Sequence, residues 1–436
     1  MEETISFVWL LFLVVTECFY GLAAIAVCGV QMNKAKLASR ALEQGNGIAR
    51  LAPTWVPRAF LSPGGRLKLA PQDLYALGAD RGGIDERWFA STVKADNPGA
   101  PEDEGLSYIV VGWGSKAERV LLRDAFEVLG EEFLGREMMR KYGGWPVFSK
   151  FFENSVPIPL HLHQREEDAQ KVNRKAKPEA YYFPPQLNAV EGRFPYTFFG
   201  LHPGTTREDV KSCLERWNVG DNGILDLSKA YRLRAGTGWV VPPGTLHAPG
   251  TLVTYEPQGA SDVAALFQSM LEGMPISWDM VVKDVPPEHH HDLDYIVDMI
   301  DWEVNLDPEF REHHYIEPKL AGDLAETRRL GYEEKWVVYG SREFCTKEIT
   351  VLPKKSVTLV DNAAYALIVL QGHGSVGSFE AESPTMIRYG ELTNDEFFVT
   401  VSAAKDGVKV KNESSTGNLV ILRQFGPDNP DASKLA

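Results

Sequence analysis

Cysteine and basic side chains are scarce in this sequence. The chain has 436 residues and four cysteines, and none of them lies in a Cys-x-x-Cys pair. This pattern argues against a disulfide framework and favours a reducing compartment. Lysine and arginine total 45 against 60 aspartates and glutamates, which gives a formal charge of −15. A chain with such an excess of acid is a poor match for the phosphates of nucleic acids, so we predict no nucleic-acid partner.

A long apolar run extends from Ile5 to Val30, and Glu17 interrupts it. The run is long enough to span a bilayer, although a carboxylate near its centre is costly there. Its flanks are acidic before and basic after, the reverse of a secretory signal, and the positive-inside rule would leave the rest of the chain in the cytoplasm. The alternative is that translation begins at Met32. We therefore predict a cytoplasmic protein whose main body has no membrane partner, with an N-terminal anchor only if residues 1–31 are translated.

The segment from Ile158 to His247 holds the residues best suited to chemistry. His161 and His163 form a His-x-His motif in a predicted strand, so both imidazoles project from the same side. Glu179 begins an aromatic-rich second strand, and a Pro-Pro-Gly turn after a third strand presents His247. Ligands on neighbouring strands of a small β-barrel can converge on one ion at its mouth. Three imidazoles and a carboxylate suit Zn²⁺, or another divalent metal such as Fe²⁺ or Mn²⁺. The sequence thus predicts one metal site with four ligands, His161, His163, Glu179 and His247.

The alternative for each histidine is a structural role, since a ring in a His-x-His motif can be only a hydrogen-bonded strand residue. That motif, followed in order by a glutamate-led strand and a Pro-Gly-x-x-His turn, favours the metal site. Lys177 precedes Glu179 by two residues and therefore shares its face of the strand. A lysine that points at the metal pocket could orient a hydroxyl or a phosphate of a bound molecule.

Longer motifs surround the predicted ligands, and they are more specific than the ligands alone. Their residues are Gly143–Phe152, Lys177–Glu179, Gly200–Val210, Val241–Ala248 and Glu256–Asp262. Together these motifs resemble mannose-6-phosphate isomerases of the cupin type, and the resemblance covers the chain best from about Gly143 to Gln268. It implies a mainly β fold of two cupin (jelly-roll) β-barrels, with inserted and N-terminal helices.

The resemblance implies a metal-dependent aldose–ketose isomerase, an intramolecular oxidoreductase that acts on a sugar or sugar phosphate. In that reaction the metal acts as a Lewis acid on the carbonyl and neighbouring hydroxyl oxygens, and a base moves a proton between C1 and C2. Glu256, which matches the family's glutamate before Gln-x-x-Ser-Asp, is one candidate base. Lys177 is a second candidate, as base or as electrostatic clamp, and a water on the metal is a third.

The chain departs from the family pattern at two places. His161 stands where the family usually has glutamine, and a histidine still binds a metal. The segment Val263–Gln268, in which the family places an active-site arginine, contains no arginine. This second departure indicates a different substrate, such as a sugar without a phosphate, or a changed mechanism.

Two other functions stay open at this point. A cupin could bind a sugar through its metal without turning it over, as a sensor or scaffold. Three histidines and a glutamate are also a ligand set of Fe-dependent cupin dioxygenases. Iron content, O₂ uptake and proton exchange at the sugar would separate these functions from isomerisation. The sequence also leaves a homodimer open.

We predict five regions along the chain. They are a hydrophobic N-terminal extension (1–31), an N-terminal wrap and helix (32–140), a metal-binding cupin domain with a helical insertion (141–285), a linker (286–335) and a C-terminal, metal-free cupin-like domain (336–436). Within the wrap, the charged residues between Arg81 and Arg87 are interpreted as a salt-bridged surface turn, and Lys116–Lys141 has the apolar spacing of a helix. The consecutive histidines 289–291 point in diverging directions, so the region around them is interpreted as an exposed acidic linker.

Overall fold

The computed structural model describes residues 31–59, 61–190 and 194–432. The apolar run from Ile5 to Val30, with its predicted role as an anchor, lies outside these residues. In the described ranges no helix is long and apolar enough to cross a membrane.

Two antiparallel sheets enclose the segment that is predicted to bind a metal. The first, called the glutamate sheet because it carries Glu179, has seven strands. In spatial order these are Tyr315–Ile316, Gly238–Val241, Glu179–Tyr182, Thr254–Gly259, Val147–Phe152, Ile84–Phe89 and Thr54–Pro57. The second, called the histidine sheet because it carries His161 and His247, has five strands. In spatial order these are Ser228–Arg232, Tyr196–Leu201, His247–Ala248, His161–Leu162 and Ala265–Leu266.

The glutamate sheet and the histidine sheet face each other across a layer of aromatic side chains. Phe199 of the histidine sheet packs on Trp239 of the glutamate sheet, with ring centroids 4.8 Å apart. Tyr181 and Phe152 belong to the same cluster, and all four side chains are buried. Aromatic residues favour strands because they fit a pleated surface that is packed on one face. This packed layer holds the two sheets together around the histidines and Glu179.

A second pair of sheets is built mainly from the C-terminal part of the chain. The larger sheet has seven strands, in the order Ile48–Arg50, Glu396–Val399, Tyr365–Gln371, Leu419–Phe425, Cys345–Val351, Tyr332–Val338 and Lys319–Leu320. The smaller sheet has four, in the order Ser356–Leu359, Val408–Asn412, His373–Val376 and Phe379–Glu382. Two separate hairpins pair Tyr108–Val111 with Glu118–Leu121 and Met270–Leu271 with Met274–Pro275. Because Ile48 pairs with Val399, a strand from the predicted N-terminal wrap forms one edge of the larger C-terminal sheet.

The helices are short and lie between the strands. The α-helices are 31–45, Leu122–Leu134, Arg136–Tyr142, Glu166–Ala169, Arg207–Glu215, Asp279–Val282, Leu293–Asp298, Trp302–Asn305, Phe310–His314, Leu324–Leu330 and Val401–Asp406. The 3-10 helices are Pro71–Asp73, Ala79–Arg81, Gly114–Lys116, Gln170–Val172, Trp217–Val219, Ile224–Leu227 and Pro287–His289. Arg207–Glu215 begins at a capping box, in which the Thr206 hydroxyl accepts from the Asp209 N–H and the Asp209 carboxylate accepts from the Thr206 N–H. Its buried face consists of Val210, Cys213 and Leu214.

The prediction of a mainly β protein is confirmed by these sheets. Within the residues that the structure describes, the two edge strands of each sheet are not paired with each other, so no sheet closes into a barrel by itself. The boundaries of the five predicted regions stay predictions.

The helix predicted over Lys116–Lys141 is wrong in its first part. Glu118–Leu121 is a strand of a hairpin, and the helical residues are Leu122–Leu134 and Arg136–Tyr142. Gly135 separates the two helices with a φ of 84°, a conformation that glycine adopts more easily than other residues. Hydrogen bonding to the other strand of the hairpin outweighs the helical spacing of the apolar residues.

The surface turn predicted between Arg81 and Arg87 is also wrong. Ile84–Phe89 is an interior strand of the glutamate sheet, and all six of its residues are buried. Glu86 and Arg87 are tolerated there because each meets an opposite charge from a distant part of the chain. These pairs are Glu86 with Lys150 and Arg87 with Asp395.

Candidate metal centre

Three buried histidines meet at the surface of the histidine sheet that faces the glutamate sheet. His161 and His247 are directly opposite each other on neighbouring strands, and their ring centroids are 4.1 Å apart. His163 follows two residues after His161, and its ring lies 5.0 Å from that of His161 and 5.1 Å from that of His247. One ring nitrogen from each residue lies within 4.8 Å of the others. The alternation of side chains along a strand therefore does bring the His-x-His pair to one side.

Each of these imidazoles is oriented by a backbone carbonyl. The bonds join Nδ1 of His161 to the Pro159 oxygen at 2.7 Å, Nδ1 of His163 to the Val263 oxygen at 2.6 Å and Nδ1 of His247 to the Thr245 oxygen at 2.8 Å. A carbonyl only accepts, so each Nδ1 carries the proton and each Nε2 of a neutral ring presents a lone pair. This is the arrangement that metal-binding histidines usually have, because it fixes both tautomer and ring orientation.

Glu179 reaches these lone pairs from the opposite sheet. Its Oε2 lies 3.0 Å from Nε2 of His163, and its Oε1 lies 3.1 Å from Nε2 of His247. In each pair both atoms present lone pairs, so the contact is repulsive unless a cation lies between them. Donor atoms that bind one ion at about 2.0–2.2 Å lie about 3–3.5 Å apart, over the range from right-angled to tetrahedral arrangements. The contacts of Glu179 with His163 and His247 have this spacing, and the three imidazoles are close enough together to hold a metal ion.

Lys177 supplies a positive charge at the same place. Its Nζ lies 2.8 Å from Oε2 of Glu179 and 2.9 Å from Nε2 of His163. It also lies 3.1 Å from Oε1 of Glu256. A metal would use the lone pairs of His163 and Glu179 that the ammonium now occupies, so the two cations compete for them. Lys177 can keep its contact with Glu256 whether or not a metal is bound.

A network of buried ion pairs continues from Glu256 away from the histidines. Lys150 lies 3.5 Å from Glu256 and 3.1 Å from Glu86. Arg58 in turn lies 3.2 Å from both Glu86 and Asp262. All of these side chains are almost fully buried, so their charges are balanced mainly by one another.

Sequence analysis did not select Lys150, Glu86 or Arg58. Lys150 interrupts a strand of apolar and aromatic residues within one of the quoted motifs, which is a signal that could have identified it. Glu86 and Arg58 had no such signal, because their partners are distant in the chain: Arg58 and Glu86 are 28 positions apart, Glu86 and Lys150 are 64 apart, and Arg58 and Asp262 are 204 apart. The segment Val263–Gln268 has no arginine of its own. An arginine from elsewhere in the chain lies close to it, because the guanidinium of Arg58 donates to Asp262, the residue just before the segment.

Burial sets the protonation of the site. It lowers the pKa of His161 well below its ordinary value and, together with the charge of Lys177, lowers the pKa of His163 to about 3. Both rings are therefore neutral at physiological pH, which is the form that binds a metal. Burial alone would raise the pKa of Glu179, but the charge of Lys177 holds it well below its usual range. Burial and then the charge of Glu179 raise the pKa of Glu256 to about 8.

His161, His163 and His247 form the one group of three or more histidine, cysteine or acidic side chains that could hold a metal in the part of the chain that the structure describes. The consecutive histidines 289–291 do not form a second group there. His289 stacks on the ring of Tyr295 at 4.0 Å and pairs with Asp292 at 3.0 Å instead.

Neither protein-family models nor curated proteins give a match to this sequence. Solved structures do. A mannose 6-phosphate isomerase from Bacillus subtilis is 15% identical, with a TM-score of 0.53 over 87% of this chain and 99% of that one. A variant of phosphomannose isomerase from Salmonella typhimurium is 12% identical, with a TM-score of 0.55 over 87% and 100% of the two chains. A zinc-bound mannose 6-phosphate isomerase is 13% identical, with a TM-score of 0.55 and the same coverage. These likenesses show that the chain shares the fold of mannose-6-phosphate isomerases.

Proposed function

We propose that this protein is a metal-dependent aldose–ketose isomerase that acts on a sugar or sugar phosphate. The observation that carries the proposal is the convergence of three imidazoles and the Glu179 carboxylate beside Lys177 and Glu256, within the fold of known mannose-6-phosphate isomerases. His161, His163, Glu179 and His247 would hold the metal. We favour Zn²⁺ over Fe²⁺ or Mn²⁺, since one of the matching structures is zinc-bound. When bound, the metal supplies Lewis-acid polarisation of the sugar oxygens.

Glu256 is the residue that we assign as the base. Isomerisation requires one group to remove the proton from the carbon beside the carbonyl and return it to the neighbouring carbon. The two oxygens of Glu256 lie 3.1 Å from Lys177 and 3.5 Å from Lys150, so two ammonium groups hold the carboxylate in one orientation. A fixed orientation suits proton transfer between adjacent carbons, because the base has to reach both.

Lys177 suits the role of an electrostatic clamp. Its ammonium donates to Glu179 and lies beside Glu256, so it stands between the predicted ligands and the predicted base. Negative charge develops on a sugar oxygen when the carbon-bound proton leaves, and a nearby hydrogen-bond donor stabilises that charge. We therefore propose that Lys177 donates to this oxygen while Glu256 holds the proton.

The substrate of this site need not carry a phosphate. The Arg58 guanidinium donates to Asp262, Glu86 and Asn97 from Nη1 and Nη2, so both of these nitrogens have partners within the protein. We propose that Arg58 neutralises these buried carboxylates and does not bind a phosphate. Sugars with and without a phosphate therefore both belong in the test.

We also propose that the glutamate sheet and the histidine sheet are the two faces of one diverged cupin (jelly-roll) barrel. A jelly roll consists of two packed antiparallel sheets, and here the predicted ligands project between them. The second pair of sheets would then be the metal-free, cupin-like partner predicted for residues 336–436.

The test incubates the metal-loaded full chain in D₂O with aldoses and with their 6-phosphates. NMR of the sugars then measures the uptake of deuterium at C2. We expect uptake into at least one sugar. Uptake into mannose 6-phosphate would establish the activity of the matched isomerases, and uptake only into another sugar would identify that sugar as the substrate. If metal is present and no sugar exchanges, the isomerase proposal is wrong. O₂ consumption with bound iron would then indicate a dioxygenase, and sugar affinity without exchange a binding protein.

A further inference from the structure

Tyr181 contacts the predicted metal centre from the strand that carries Glu179. The two residues are separated by one position, so their side chains project from the same face of the strand. The Tyr181 hydroxyl donates a hydrogen bond to Oε1 of Glu179. The opposite oxygen, Oε2, faces His163 and Lys177. The two oxygens of the carboxylate therefore have different partners.

Aromatic side chains pack around the Tyr181 ring. Phe152 packs against its edge with centroids 5.9 Å apart, and Phe199 lies 6.1 Å away. The side chain is 1% exposed and belongs to the aromatic layer between the two sheets. A buried hydroxyl that loses its partner costs about 1–3 kcal/mol, so the bond to Glu179 is strongly preferred over an unbonded hydroxyl. The ring is held by packing, and the hydroxyl then holds the carboxylate.

We propose that Tyr181 is a positioning residue that fixes the Glu179 carboxylate between His163 and His247 and so sets the metal affinity of the centre. Without the hydroxyl, Oε1 of Glu179 would keep only the unfavourable approach to Nε2 of His247, at 3.1 Å. The carboxylate would then rotate toward Lys177, which already binds Oε2 at 2.8 Å. Such a rotation favours the ammonium over the metal for the same lone pairs.

The neighbouring tyrosine provides a matched control. Tyr182 is also buried, and its hydroxyl also donates to a carboxylate, that of Glu348 in the C-terminal sheet at 2.8 Å. Because successive residues of a strand face opposite sides, Tyr182 points away from the metal centre. Both variants therefore remove a buried tyrosine hydroxyl from the same strand. Tyr181→Phe removes it next to the metal centre, and Tyr182→Phe removes it on the opposite face.

The experiment measures Zn²⁺ affinity of the full chain by competition with a chromophoric chelator, with circular dichroism as the check of folding. Loss of a group that orients a metal ligand typically lowers affinity by about tenfold to a hundredfold, and we expect this loss for Tyr181→Phe. Tyr182→Phe should bind Zn²⁺ as the wild type does. Equal affinity of Tyr181→Phe and wild type, or an equal loss in both variants, would overturn the inference.

A second measurement separates positioning from a general loss of packing. In a Glu179→Ala background the hydroxyl has no carboxylate to hold, so adding Tyr181→Phe should leave the residual Zn²⁺ affinity unchanged. The same fold-loss in that background would overturn the inference, because the effect would not pass through Glu179. The inference rests on the proposed metal site. If the wild-type chain binds no Zn²⁺, the proposed function fails with it, whereas a wild-type site insensitive to Tyr181→Phe refutes the inference alone.

Discussion

Nε2 of His247 lies 3.1 Å from Oε1 of Glu179, although the two residues come from different sheets and both atoms offer lone pairs. In the neutral imidazole His247 cannot relieve the contact by donating, because the bond from Nδ1 to the Thr245 carbonyl requires the proton on Nδ1. Its Nε2 has no hydrogen-bond partner among the described residues. A buried polar atom without a partner is rare, and a cation shared with Glu179 is the explanation that we propose for this one.

His247→Ala should therefore lose most of the bound metal. Elemental analysis of the purified chain gives the stoichiometry, and the thermal midpoint with and without a chelator gives the contribution of the metal to stability. The chelator should lower the midpoint of the wild type and leave that of the variant almost unchanged. His313→Ala is the control, since His313 is exposed and pairs with Asp307 outside the centre. Metal retained by His247→Ala at the wild-type stoichiometry would refute the ligand assignment.

Replacing Glu256 should separate binding from chemistry. Glu256→Gln keeps the shape of the side chain but cannot accept a proton, and loss of a general base lowers rates by about 10²–10⁴-fold. We expect the variant to keep its metal and to lose C2 exchange in D₂O. Glu348→Gln is the control, because Glu348 is an equally buried carboxylate that bonds Tyr182 away from the centre. Exchange at the wild-type rate in Glu256→Gln would exclude it as the base.

The convergence of the three histidines could be predicted because its signals are local. His-x-His spacing places two rings on one side of a strand, and the Pro-Pro-Gly turn ends at His247. The structure brings these rings together with Glu179, as expected from that pattern. The mainly β class could be predicted for the same reason, because alternation and turn residues are visible over a few positions.

The charged interior could not be predicted, because burial of a charge depends on a partner elsewhere in the chain. Arg58 meets Asp262 across 204 positions, and Arg87 meets Asp395 across 308. Read alone, a run such as Asp85-Glu86-Arg87 resembles a solvated turn, since such residues are rarely buried without a partner. The strand Ile48–Arg50 shows the same limit, because its place beside Glu396–Val399 depends on a pairing that no local pattern indicates.

The ion pair between Arg87 and Asp395 joins the glutamate sheet to the C-terminal sheets, and its loss should destabilise the fold. Its two hydrogen bonds measure 2.8 and 2.9 Å, and both side chains are less than 5% exposed. Asp395→Ala removes the bidentate partner of the buried guanidinium and leaves it only Glu396, 3.6 Å away, so we expect a loss of up to about 3–5 kcal/mol. Denaturant unfolding measures the change. Glu102→Ala, which breaks the exposed pair with Lys94, is the control and should have little effect. Equal effects of the two variants would contradict a structural role for the Arg87 pair.

Glu396 should make the stability of the protein depend on pH. Burial raises the pKa of this carboxyl to about 8. The positive charge of Arg87 lowers the pKa, but Arg87 also pairs with Asp395, and the negative charge of Asp395 raises the pKa of Glu396 again. In an unfolded chain a glutamate titrates near about 4.3. Between these values the folded state holds a proton that the unfolded state has lost, so the unfolding free energy falls as pH rises, by up to about 1.4 kcal/mol per pH unit.

Glu396→Gln removes this titration and resembles the protonated form. We expect the two chains to have similar unfolding free energies below about pH 4, where the unfolded wild type also keeps its proton, and the variant to be the more stable of the two at about pH 8. The comparison isolates Glu396, since every other titrating group is common to both chains and cancels in the difference. If the unfolding free energies of the two chains change with pH in the same way, the prediction is wrong. That result would show that Arg87 keeps Glu396 ionised in the folded state.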